Sequence, residues 1–265
     1  MDRLPCMERT DLTNGLICAL DIRTYDELAP HLTHREFDRG DVFYEPGDAI
    51  QHVYFPHRGV ISLLSVLEDG SAIETSTVGR ESAVGLLAGL TPLQSFSRAV
   101  GQSPGLVSRI EASRLRALAA GSPILRDIIT RHCDALLANA QQSVACNALH
   151  DVEERFCRWL LTCHDRAEGD ELSVTQEFLA MMLGVQRTTV TQVAGMLQDA
   201  GLIRYQRGRM TIVDRLGLER RACECYHAVR RHADRVLPAS PNEDGPCAPL
   251  SAGAVPGHAA PTRAP

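Results

Sequence analysis

Lysine is absent from the 265-residue chain, so all 27 basic side chains are arginine guanidinium groups. Such groups are planar, always charged and well matched to phosphate and to guanine. A GC-rich coding sequence would favour arginine and alanine in the same way, so this absence assigns no function by itself. C-x-x-C pairs are also absent. The nine cysteines are scattered, with Cys157 and Cys163 inside a helical pattern and Cys223 and Cys225 flanking one residue. That spacing argues against a zinc ribbon or a disulfide scaffold, and neither a metal site nor a cofactor is expected. No H-x-H pair occurs, and His31, His34, His52 and His57 are too dispersed to nominate a metal-binding triad. No run approaches the ~18 to 20 apolar residues of a membrane helix. No apolar segment follows Met1 either, so the expectation is a cytoplasmic protein with reduced thiols and no membrane partner.

The net charge of -6 argues against a protein that coats nucleic acid nonspecifically. It conceals a segregation along the chain. Residues 1–149 hold 13 Arg against 18 Asp or Glu, whereas residues 187–235 hold 10 Arg against 5 acids.

The basic half begins at the most informative segment, residues 175–203, TQEFLAMMLGVQRTTVTQVAGMLQDAGLI. Phe178, Leu179 and Met182 recur at helical spacing, and Gly184 supplies the permissive backbone of a tight turn. Val190, Val193, Ala194 and Leu197 then stand at i, i+3, i+4 and i+7, one buried stripe of a second helix. The opposite face presents Arg187, Thr188, Thr191 and Gln192, with no acid between Arg187 and Gln198. A merely solvated helical hairpin would mix in glutamate. The layout is that of a helix-turn-helix whose second helix enters a major groove. Residues 202–212 read as two short strands around Gly208, a wing whose Arg207 and Arg209 reach flanking phosphates.

Upstream the pattern changes twice. Residues 1–36 are helical in character. From Phe37, short runs (42–44, 52–55, 60–66, 72–78 and 106–110) alternate with glycines, as in an antiparallel β-roll or jelly roll. Asp69-Gly70 is a hairpin signal. Ser122 and Pro123 then open a long helix. Its stripe, Leu125, Ile129, Cys133, Leu136, Ala140 and Val144, is narrow over about 25 residues, or roughly 37 Å. Packing on the chain's own roll is one reading of that stripe, and pairing with a second copy is the favoured one. Asp151 caps a further helix bearing Trp159. Residues 214–236 are helical and arginine-rich, and the Pro, Ala, Gly and Ser tail is expected to be disordered.

The fold expected is α+β: an N-terminal helical arm (1–36), a β-roll effector domain (37–121), a dimerisation helix (122–148), a winged helix-turn-helix (149–237) and a tail (238–265). This order resembles the CRP/FNR family of bacterial transcription regulators, named for the cyclic-AMP receptor protein and the fumarate-nitrate reduction regulator, over residues 20–215. The segments that carry the resemblance are residues 175–203, DVEERFCRWLL, YFPHRGVISLL and DGSAIETSTVGRESAVG.

The resemblance implies a cyclic-nucleotide-binding-domain fold and a homodimer that binds a palindromic operator. Operator DNA, a second copy and RNA polymerase are the candidate partners. Arg187 matches the family arginine that contacts guanine, a bidentate pair that discriminates by about 1 to 3 kcal/mol. Thr188 and Gln192 replace the family's glutamate and second arginine. Thr188 and Thr191 suit a thymine methyl and Gln192 suits adenine, while Thr175, Gln176 and Thr189 suit phosphates or helix caps. In the sensor half, Ala83-Val84 stands where cyclic-nucleotide binders carry Gly-Glu, and Arg98 reaches the phosphate position only if the register slips. Glu81, Ser82, Val84 and Arg98 are the nominated effector-pocket residues. The N-terminal cysteines, Cys6 and Cys18, are too few for the family's iron-sulfur branch. Cys133 and Cys146 read as small apolar helix residues, and His52 and His57 as exposed histidines rather than haem ligands.

Two other classes compete with a sequence-specific regulator: a metal-dependent roll enzyme, and a regulator that acts through protein partners without DNA. The effector is unassigned, and no catalytic residue is nominated. Cyclic AMP is expected not to be the ligand, because a buried phosphate without matched donors is poorly stabilised. Titration calorimetry with cyclic AMP should give no saturable heat, and tight one-site binding would overturn this expectation.

Overall fold

The computed structural model describes residues 13–167, 169–237 and 247. Two short helices open it, α1 (Gly15–Cys18) and α2 (Ile22–Leu28), each started by a side chain, Asn14 or Asp21, that accepts from first-turn N–H groups. The helical arm expected over residues 1–36 ends early. Residues 1–12 lie outside the described residues, and strand β1 (Thr33–Phe37) already pairs with the sheet through Thr33 and Arg109.

The roll contains β1, β2 (Val42–Tyr44), β3 (His52–Val66), β4 (Ala72–Val78) and β5 (Arg98–Glu111), all antiparallel in the order β1-β5-β3-β4, with β2 beside β5. The runs expected at 52–55 and 60–66 form one strand. Its register on β5 shifts between Pro56 and Ile61, and Gly59 sits there with φ +78°. A Cβ at Gly59 would collide with the Pro104 carbonyl. The turn signal is thus absorbed as an irregularity within a strand rather than as a chain reversal. The Asp69-Gly70 hairpin joins β3 to β4, with the Ser71 N–H and hydroxyl both donating to the Asp69 carboxylate.

A helix that the sequence pattern did not announce, α3 (Ala112–Gly121), leads into α4 (Pro123–Leu149), where the Ser122 hydroxyl accepts from Leu125 N–H. Asp151 and Glu154 then form a reciprocal capping box that starts α5 (Val152–His164). Beyond it lie β6 (Glu171–Ser173), α6 (Gln176–Leu183), α7 (Arg187–Asp199), β7 (Ile203–Gln206) and β8 (Arg209–Ile212), the strands pairing as β6-β8-β7. The helical segment expected over 214–236 is broken at residues 222–224 into α8 (Arg215–Arg221) and α9 (Cys225–Val236). Among the described residues no helix is long and apolar enough to cross a membrane.

Among the described residues, three large apolar clusters hold these elements. Phe37, Tyr44, Tyr54, Ile61 and Val84 fill the roll. Leu16, Leu28, Val53, Leu115, Leu125 and Ile129 join its end to α1–α4. Phe156, Leu160, Leu179, Val190, Leu197 and Leu218 form the core of α5–α8, which reaches Leu64 of β3. Leu237 and Cys247 return to pack on the second cluster, and Cys247 is disulfide-bonded to Cys18. The expectation of reduced thiols therefore fails at this pair. The disorder expected of residues 238–265 falls outside the described residues apart from Cys247.

Helix α4 divides its circumference three ways. Toward the roll, Leu125 and Ile129 are 3% and 0% exposed, His132 meets Ser82, and Asn139 donates to Ser76. Toward α9, Asp134 meets His232 at 2.9 Å, and Gln142 donates to Cys225. What is left open carries Leu137 and Val144, at 58% and 72% exposed, with Cys133 and Ala140 half-buried beside them. The expected dimer stripe is corrected accordingly. Leu125 and Ile129 are consumed by the chain's own core, Leu136 is half-buried, and Leu137 takes a place in the open stripe.

The roll and the C-terminal domain meet at Glu74 of β4. Its carboxylate accepts from Ser62 Oγ at 2.6 Å, Thr77 Oγ1 at 3.0 Å and Trp159 Nε1 of α5 at 2.9 Å. Burial pushes its pKa above the ordinary 4.5, and the three donors oppose that push only in part. Because the folded value lies above the unfolded one, the favourable contribution of this group is full in acid and is lost as pH rises through the raised value. Glu74→Gln keeps an acceptor for Trp159 and removes the buried charge. It should raise the thermal midpoint at pH 8 by about 2–4 °C, the shift that roughly 1 kcal/mol gives in a chain of this size. At pH 4 it should give no gain. Equal gains in calorimetric scans at both pH values would refute the assignment.

Candidate nucleic-acid interface

Thr175 starts α6 by accepting from Phe178 N–H at 3.2 Å, so it serves as a helix cap. Gly184 ends the helix with φ +62° and ψ 40°, the left-handed conformation that costs other residues roughly 1–2 kcal/mol. Helix α7 then buries Val190, Val193, Ala194 and Leu197 against the domain core. The same 3.6-residue period that hides those four turns Arg187, Thr188, Thr191 and Gln192 outward, and all four are exposed. Thr189 is half-buried beside them.

Arg187 is held from α6. Its Nη1 lies 2.6 Å from Glu177 Oε1, and its Nε donates to Gln176 Oε1 at 3.3 Å. Both charged partners are more than 60% exposed, so the pair is screened and worth ~1 kcal/mol or less. It aims the guanidinium without holding it back. Thr191 Oγ1 donates to the Arg187 carbonyl at 3.0 Å, which fixes the rotamer of this exposed side chain.

The wing turns at Arg207 and Gly208, with φ of +47° and +78°. Two successive positive φ values are the signature of a type I′ hairpin turn, in which Asn-Gly is the common pair. Arg207 occupies that strained first position and is exposed, as are Arg204 and Arg209. Arg209 also makes a loose 3.3 Å contact with Glu171. Gln198 accepts from Tyr205 N–H, and Tyr205 Oη donates to the Val174 carbonyl, so the wing is fastened to both helix-turn-helix and β6 flank.

A Crp-like helix-turn-helix domain matches residues 154–221, and a cyclic nucleotide-binding domain matches residues 34–122. Together they span more than half of the chain. It belongs to the CRP/FNR family. It is accordingly a DNA-binding transcription regulator of that type. The global nitrogen regulator of Synechococcus elongatus is 25% identical over 69% of this chain and 86% of its own. The anaerobic regulatory protein of Haemophilus influenzae is 25% identical over 69% of this chain and 74% of its own. Among solved structures, a CRP/FNR-family transcriptional regulator from Thermus thermophilus is 26% identical with a TM-score of 0.59, covering 71% of this chain and 97% of that one. FixK2 from Bradyrhizobium japonicum shares the fold, at a TM-score of 0.64 and 16% identity over 72% of this chain and 98% of that one.

The nominated effector residues do not converge. Arg98 pairs with Glu45 at 2.8 Å near the surface. Glu81 pairs with Arg166 of the C-terminal domain at 2.7 Å. Ser82 Oγ lies 2.6 Å from His132 Nε2, and Val84 is fully buried in the roll core. Burial drives this regrouping, since the apolar Ala83-Val84 pair gains by packing where a polar pair would line a cavity. His132 itself, enclosed between α4 and the roll, has its pKa held down to about 4 by burial. Of the four nominated residues, Glu81 alone lines a cleft of about 530 Å3 between the roll, α5 and α9, with Arg80, Arg158, Arg166 and Tyr226 among its other walls.

His57 also departs from expectation. It is buried, and both ring nitrogens are engaged, Nδ1 accepting from Thr13 N–H at 3.2 Å and Nε2 meeting Ser108 Oγ at 2.6 Å. Burial lowers its pKa to about 4. Neither nitrogen is left over for haem or a metal.

One grouping escaped the sequence reading altogether. Cys146 and His150, four residues apart at the end of α4, meet Cys223 of the break and Cys225 at the start of α9, with all four potential ligand atoms within 4.8 Å of one another. Cys146 faces α9 and not the open stripe. The available signal was the pair of short spacings, C-x-x-x-H on one helical face and C-x-C on a loop.

Proposed function

We propose that the chain acts as a homodimer that reads a palindromic operator with two α7 helices, each anchored by Arg187. The observation that carries this reading is the exposed row Arg187, Thr188, Thr191 and Gln192, flanked on the same domain by the strained, exposed Arg207 of the wing. A left-handed arginine at a turn tip is costly in the free protein, and an exposed one keeps its guanidinium available to a phosphate. Arg187 supplies guanine readout, Thr188, Thr191 and Gln192 supply thymine and adenine contacts, and Gln176, Thr189, Arg207 and Arg209 hold phosphates. In a dimer the half-sites are centred about 34 Å apart, one helical turn of DNA.

The open stripe of α4 supports dimerisation. Leu137 and Val144 are seven residues apart, on one side of the helix, with Cys133 and Ala140 beside them. The packed Ala83-Val84 segment and the Arg98–Glu45 pair support a sensor that does not use the family's cyclic-nucleotide contacts. The exhausted nitrogens of His57 support a regulator over a roll-type metalloenzyme.

Binding to genomic fragments selected with the purified chain, measured at a fixed salt concentration, tests the DNA reading. Arg187→Ala should weaken the selected site about 5- to 150-fold, the equivalent of about 1–3 kcal/mol, and relax one base position. Arg207→Ala should weaken all sequences alike and reduce the salt slope by about 1. Unchanged affinity in Arg187→Ala would refute the recognition-helix role. The double variant Leu137→Glu/Val144→Glu should sediment as a folded monomer and bind a full operator no better than a half-site. A dimer with unaltered sedimentation would place the interface elsewhere.

A further inference from the structure

We propose that Cys146, His150, Cys223 and Cys225 form a closed structural zinc(II) site that fastens the C-terminal helix to the hinge between the two domains. Cys146 Sγ lies 3.5 Å from Cys223 Sγ, and Cys225 Sγ lies 3.4 Å from His150 Nδ1. A tetrahedral zinc ion with Zn–S near 2.3 Å and Zn–N near 2.0 Å needs S–S edges of about 3.8 Å and S–N edges of about 3.5 Å. The two short edges therefore sit within a few tenths of an ångström of those a single ion would set. A four-iron cube interposes a whole cluster between its thiolates and holds them farther apart than the 4.8 Å that bounds this set.

The ligand set has the chemistry of a structural site. Three cysteines and one histidine complete four-coordination and leave no position for water or substrate. All three cysteines are buried, at 0%, 3% and 0% exposure, and they form a small cluster of their own. Three thiols enclosed together gain little from packing alone, whereas a divalent cation would offset most of the charge of three thiolates. The surroundings also match what orients ligands. His150 Nε2 lies 3.2 Å from Glu224 Oε2, the carboxylate partner that fixes the tautomer of a histidine bound through Nδ1. Gln142 Nε2 donates to Cys225 Sγ at 3.0 Å, a bond suited to a thiolate.

The position gives the site its role. Cys146 occupies the last turn of α4 and His150 is its C-cap, one residue before the Asp151 box that starts α5. Cys223 lies in the break between α8 and α9, and Cys225 is the first residue of α9. One ion would thus join the entry and the exit of the DNA-binding domain.

The full chain, purified under reducing conditions without a histidine tag, should hold about one zinc per chain by elemental mass spectrometry. Replacement with Co(II) should give thiolate charge-transfer bands and the intense visible absorption of a tetrahedral site. Cys223→Ser/Cys225→Ser should lose at least tenfold in bound zinc, and Glu224→Gln should bind the ion about 10-fold more weakly. Cys157→Ser and Cys163→Ser, buried cysteines outside the set, should keep full zinc. The Co(II) spectrum of the unaltered chain answers the question even if the ligand variants fail to fold. Less than about a tenth of an equivalent after reconstitution of the reduced chain with zinc would overturn the proposal. So would iron with acid-labile sulfide, or full zinc in the double variant.

Discussion

The division of α4 into three faces is the constraint on which the rest of the molecule depends. One helix of 27 residues seals the end of the roll, receives α9 and leaves a stripe uncovered. A helix that buried only one side would have a single strong stripe and a single job. Here the roll side is apolar through Leu125 and Ile129. The α9 side is polar and sulfur-bearing through Asp134, Gln142 and Cys146. The open side is apolar again through Leu137 and Val144. Apolar groups left at 58% and 72% exposure cost the free chain hydration energy that a second helix would recover.

What could be read in the sequence follows from how far apart the interacting residues are. The two helices of residues 176–199 and the wing were legible because period, turn glycine and strand alternation all lie within 40 residues and agree with one another. The exposed row on α7 followed from the same period. The expected α4 stripe mixes two surfaces, because Leu125 and Ile129, which pack in the chain's own core, and Val144, which is open, fall on one apparent line when the helix is unrolled without knowing what packs on it. The single strand β3 read as two because Gly59 carries a turn residue's conformation inside a bulge. Helix α3 went unread because its ten residues, ASRLRALAAG, bury only Ala112, Leu115 and Ala119. The sulfur cluster was invisible for a simpler reason: its two halves are separated by more than 70 residues, and each half alone is an ordinary spacing.

Electrostatics divides along the same line as the domains. Acidic excess lies in residues 1–149 and basic excess in residues 187–235, so the negative total does not oppose a phosphate-binding face. Between the two halves the contacts are individually specific. Glu74 receives Trp159, Glu81 receives Arg166, and Gln102 donates to Cys163. Each places a roll side chain against α5 or the turn that follows it, while Ile73 beside Gly184 and Arg39 over the Phe178 ring bring the roll against α6 as well.

The return of the chain beyond α9 changes the mechanics of the hinge between the domains. A domain attached through one connection swings as a door does. This domain is tied covalently twice, once where α4 passes into α5 and again where the Cys18–Cys247 bridge returns the chain to α1 at the end of the roll. Any turning of α7 relative to the roll is therefore limited by a covalent link that the α4–α5 connection alone would not impose.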